Sequence, residues 1–149
     1  MLTSWELHSC KAFIDRIIDN TFDNKISLVS LPRHCPMGFQ KALKKELKNM
    51  SFERIEVVNF KGLQNDEYLA YEKHIHGFFG LETSSEFTSY NISQIFSHKT
   101  VSDLDILVFE GISKLSLKGF MIFLDNLRRY VLDNDKFSCP RFIIIIDVF

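Results

Sequence analysis

The residues of this chain with the most chemical potential sit between an apolar run, 26–31, and an amphipathic segment, 38–50. They read Pro32, Arg33, His34, Cys35, Pro36, Met37, Gly38, Phe39 and Gln40. A strand, loop and helix in that order places the loop at the carboxyl end of the strand and at the start of the helix. Orphan amides and the helix dipole there favour an anion or a thiolate. Cys35, flanked by Arg33 and His34, is therefore a candidate nucleophile. Glu110 closes a second apolar run, DILVFE, and is the other catalytic candidate. We take Pro32 to Gln40 together as a ligand-binding loop.

Other reactive types fit structural roles better. His74 and His76 lie two residues apart, and on a helix that turns their rings about 200° from each other. They read as a surface histidine pair, and no metal site is expected. No serine stands in a GxSxG setting, and Asp103, Asp105 and Glu110 have no partner set for acid/base work. Lys41, Lys44, Lys45 and Lys48 fall outside the apolar stripe of their helix. With 18 basic against 19 acidic residues overall, they read as a solvated flank, not a nucleic-acid patch.

The elements that must hold these residues follow from periodicity. Thr3, Ser4, Trp5 and Glu6 form a capping box. A leading helix over 3–20 follows, its apolar positions recurring every three or four residues. Strands are expected at 26–31, 55–60, 105–110 and 142–146, and helices at 38–50, 66–79, 91–97 and 116–132. Strands alternating with helices predict an α/β fold, three layers deep, with a mainly parallel sheet covered on both faces. Right-handed crossovers then gather residues 32–37, 59–62, 110–113 and 147–149 on one rim.

Composition sets the outer bounds. The 149 residues, 46% of them apolar, suffice for one domain over 1–149: the leading helix, then a sheet-and-helix core over 26–149. Cys10, Cys35 and Cys139 are odd in number and widely spaced, which fits a reducing compartment. With no signal peptide and no apolar run near the ~18 residues of a membrane span, the expected location is cytoplasmic.

The order of elements over 26–147 resembles the core of P-loop NTPases of the AAA+ and STAND kind. Both motifs that the resemblance rests on are degenerate here. Walker A is GxxxxGK[ST], whose lysine reaches the outer phosphates and whose hydroxyl binds magnesium. With Gly38 in the second glycine position, Arg33 replaces the first glycine, Phe39 the lysine and Gln40 the hydroxyl, and Lys41 comes too late. In the Walker B strand, Phe109 takes the first acid slot and Glu110 remains. The resemblance thus implies a P-loop NTPase-like domain without ordinary hydrolysis, a binding or assembly subunit of mobile-element, DNA-related or phage-defence machinery. No cofactor is expected, although ATP with magnesium is what the family would bring. The alternative is a nucleotide-binding ATPase module with atypical motifs.

Residues 26–60 also resemble a glutaredoxin or thioredoxin-like start, with Cys35 and Pro36 at a helix amino terminus. That resemblance implies a single-cysteine thiol redox protein with a later β-hairpin. Finally, the helix over 116–132 carries a stripe of Leu117, Phe120, Met121, Leu124, Leu127 and Val131, and further apolar residues off it. Phe123 and Tyr130 among these are expected to anchor a protein partner or a homo-oligomer. Nucleic acid is expected only through such a complex, and no membrane contact is expected.

Overall fold

The computed structural model describes residues 12–20, 25–30, 39–50, 52–61, 68–80, 95–96, 98–112, 117–133 and 140–146. A helix over 12–20 (α1) is followed by β1 (Ile26–Ser30), α2 (Phe39–Asn49), β2 (Ile55–Asn59) and α3 (Tyr68–Phe78). After these come α4 (Lys99–Ser102), β3 (Ile106–Ile112), α5 (Leu117–Asp133) and β4 (Arg141–Ile146). The strands form one sheet in the order β1-β4-β3-β2, every pair parallel. This is the expected α/β architecture of three layers.

Period-two alternation along the strands sorts the core into halves. Ile55, Ile106, Val108, Ile143, Ile145 and Val29 face α1 and α2, where Ile14, Ile17, Ile18, Phe39, Leu43 and Leu47 meet them. Val58, Leu107, Phe109, Phe142 and Ile144 face α3 and α5, against Tyr71, Ile75, Phe120, Phe123, Leu124 and Leu127. β3 and β4 lie inside the sheet with both faces covered, and for that reason read as unbroken apolar runs.

The amino ends of the two strands on the β2 side are clipped together. Asp105 Oδ2 accepts the amide N–H groups of Glu53 and Arg54 at 2.9 and 3.0 Å, so this aspartate is structural. Its own N–H donates to the Arg54 carbonyl at 2.8 Å.

α5 is rotated relative to the sequence expectation. Its buried arc runs through Phe120, Phe123, Leu124, Leu127 and Val131, and Met121 is 54% exposed. At about 100° per residue, Phe123 lies about 60° from Phe120 and Met121 about 100° on the other side. Only Phe123 falls within the arc centred on Leu127. Phe123 has no exposed surface and packs at 5.7 Å from both Tyr71 and Phe109. It therefore cannot anchor an interface. Tyr130 is half-buried, 5.4 Å from Phe96. No helix among the described residues is long and apolar enough to cross a membrane.

Candidate functional site at the carboxyl end of the sheet

Chain direction across the sheet defines one switch point. From β2 through β3 to β4 the chain steps between neighbours, with α3 and α5 on one face. From β1 to β2 it moves the opposite way, with α2 on the other face. α2, which follows β1, and α5, which follows β3, thus lie on opposite faces of the sheet, and such a switch point is where open α/β sheets place ligands.

The β3 side of this switch point is well defined. Phe109 pairs with Ile144 and Ile112 with Ile146, so β3 carries one residue more than β4 over that interval. This is a β-bulge, a device that re-aims side chains near functional sites. Gly111 makes it, with φ at +74°. A Cβ there would stand 2.5 Å from Asn59 Oδ1 and 2.7 Å from the Lys61 nitrogen. The turn after β2 lies that close because Asn59 Oδ1 accepts the Lys61 N–H at 2.7 Å. His74 Nε2 lies 2.8 Å from the Asn59 carbonyl. A carbonyl only accepts, so that nitrogen carries the proton.

Glu110, in the bulge, is buried on the α2 side of the sheet. Its backbone carbonyl accepts the Phe60 N–H at 2.9 Å. The side chain borders a cavity of about 10 Å³, shared with Lys44 and with aliphatic groups of α2 and the strands. That is the lower limit for one water, so the cavity does not admit a phosphoryl group.

Phe109 points to the other face, as strand alternation requires. It is fully buried, with ring centroids 5.6 Å from Phe60 and 6.0 Å from Phe142. Phe39 is 3% exposed and packs 5.5 Å from Phe13. Its place in the expected ligand-binding loop is thereby corrected: as the first residue of α2 it faces inward, and its side chain belongs to the core. Pro32, Arg33, His34, Cys35, Pro36, Met37 and Gly38 lie outside the described residues, as does the side chain of Gln40. The structure brings Glu110 to the same face as α2, the helix that this loop leads into.

The histidine pair also needs correction. His76 is buried, and only half of the expectation, His74 at the rim, is partly exposed. Among the described residues no group of three His, Cys, Asp or Glu side chains could hold a metal ion. Sequence reasoning missed Gly111, whose signal was a glycine directly after the strand-ending acid. It also missed Glu72 beside His76, both within the helical arc marked by Tyr71 and Ile75. The hairpin implied by the thiol redox reading is not among the described strands, which are all parallel. No protein-family model matches the chain, and no curated protein is significantly similar to it.

Proposed function

We propose that this protein is a P-loop NTPase-like domain that does not turn nucleotide over and serves as a binding or assembly subunit of a larger complex. The observation that carries the reading is the fate of the two degenerate slots. Phosphoryl transfer needs a cation on the outer phosphates and an acid that organises magnesium. Phe39 and Phe109 stand in those slots, and both are built into the core, on opposite faces of the sheet. Neither is a ligand position left vacant by one substitution, because each is held by surrounding apolar groups.

The switch point, the parallel sheet and the acid on the α2 face support the architectural part of the reading. Association with a protein partner or a second copy is supported by Met121 and Ile122, neighbours on the outer side of α5 that are 54% and 42% exposed. A role in mobile-element, DNA-related or phage-defence machinery belongs to the same proposal.

Calorimetry with ATP and magnesium, beside a phosphate-release assay, tests it. The expected result is no release above the blank and binding weaker than about 0.1 mM. Tight magnesium-dependent binding that disappears when Gly38 is changed would replace this reading with that of an atypical ATPase module. Reduction of a glutathione mixed disulfide, lost in Cys35→Ser, would replace it with the redox one.

A further inference from the structure

Glu72 and His76 stand one turn apart on α3, and both side chains are turned inward, 3% and 6% exposed. Glu72 Oε2 has no hydrogen-bond partner among the described residues. A neutral carboxyl tolerates that position far better than a carboxylate, whose lost hydration nothing replaces.

The surroundings decide what happens when the proton leaves. On α3 itself, Lys73 is exposed and His74 is engaged at the Asn59 carbonyl. The segment before α4 brings His98 toward His76, followed by the exposed Lys99. α5 and the sheet meet α3 through rings: Phe120, Phe123 and Phe60 lie 5.0 to 5.9 Å from Tyr71. None of these described neighbours supplies a cation to Glu72. His98, a second imidazole, opposes the protonation of His76.

We propose that Glu72, one turn from His76, is a proton-sensitive latch: α3 lies closed on α5 and the sheet while the Glu72 carboxyl is neutral, and loosens when it ionises. Burial pushes that carboxyl from 4.5 up to about 7. His76 is held below its ordinary 6.5, chiefly by burial and then by His98. The carboxyl therefore switches near neutral pH, while burial and His98 both favour the neutral form of His76. This inference does not depend on any ligand at the switch point.

Hydrogen exchange on the full chain at pH 6 and pH 8, corrected for the intrinsic rate, is the test. Peptides of α3 are expected to exchange about tenfold faster at pH 8, with α2 peptides changing less than about threefold. Glu72→Gln keeps the shape but cannot ionise, and should hold α3 at its pH 6 protection throughout. Equal α3 protection at both pH values overturns the latch, as does loosening that persists in Glu72→Gln. Should the variant fail to fold, the carboxyl carbon shift of Glu72 in the native protein decides. A midpoint above about 6 supports the latch, and a lower one overturns it.

Discussion

On the α1 and α2 side of the sheet the core is Ile, Leu and Val with Phe13 set against Phe39, whereas the α3 and α5 side is a run of rings from Phe60 through Tyr71, Phe123 and Phe109 to Phe142 and Phe96. Aliphatic side chains accommodate one another in many arrangements. Rings at 5 to 6 Å hold preferred relative geometries, each such pair adding about 0.5–1.5 kcal/mol beyond the area it buries. The aromatic side also encloses Glu72 and His76, while the aliphatic side encloses Glu110 and Ser27. The two sides should therefore differ in what they tolerate and in how they respond to pH.

Placing at Phe39 and Phe109 the residue types of the proposed Walker slots separates the sides most sharply. Phe109→Asp puts a carboxylate among rings with no partner, and should cost more than about 5 kcal/mol, enough to unfold a domain of ordinary stability. Phe39→Lys sits at the start of a helix, where a long stem can reach water, and should cost about 2–4 kcal/mol and leave the protein folded. Circular dichroism and urea titration read both. A folded Phe109→Asp that gained magnesium-dependent nucleotide binding would end the distinction and with it the proposed function.

Next in size is the phase of α5. Phe123→Ala should cost about 3–5 kcal/mol, and Met121→Ala less than about 1 kcal/mol, as midpoint shifts in urea at constant slope. The reverse order would mean that the helix is turned as its sequence first suggests.

The pH response is smaller. A carboxyl whose folded value lies above its unfolded one stabilises fully below about 4.5, and that contribution is lost as pH rises through about 7. Native stability should fall by roughly 2–3 kcal/mol between pH 5 and pH 8 on this account. His76, with its folded value depressed, works in the other direction, its contribution being full above 6.5 and lost as pH falls through its lower folded value. Glu72→Gln should remove the decline on the alkaline side and leave the acid side alone. Urea titrations in matched ionic strength would show it.

The smallest effect is expected outside both cores. Met121→Ser with Ile122→Ser should change stability by about 0.5 kcal/mol or less, yet lower the mass found by light scattering or release a bound partner. Unchanged association would remove these residues from the assembly reading.

Much of this arrangement was legible in the chain. Alternating apolar runs and amphipathic segments gave the strands within a residue or two, the largest difference being that β3 continues to Ile112. The reason is Gly111, whose left-handed backbone is set by the approach of Asn59 and Lys61, a contact between distant residues with no local trace. The phase of α5 is not fixed by hydropathy, which does not choose between Met121 and Phe123 on either side of Phe120. Glu72 goes unmarked and His76 reads as a surface residue because such residues usually face water. At the carboxyl end of the sheet, Glu110 as a strand-ending acid was legible. That Phe39 would be core was not, since the same slot in a helix start can face a ligand.

The sheet also has a consequence for how the chain acquires its structure. Ile26 of β1 has its partner in Phe142 of β4, and β2 reaches β1 only through β3 and β4. The first strand made is thus without a described neighbour until the fourth has left the ribosome. Parallel pairing over such separation is slow, because the closing of a long loop precedes any gain from contact. β2, α3, β3 and α5 are close in sequence and share the ring-packed side, so they are the natural nucleus. During synthesis β1 and its uncharged ISLVS run would wait exposed, which makes that segment the point where chaperone binding or misassembly should be sought.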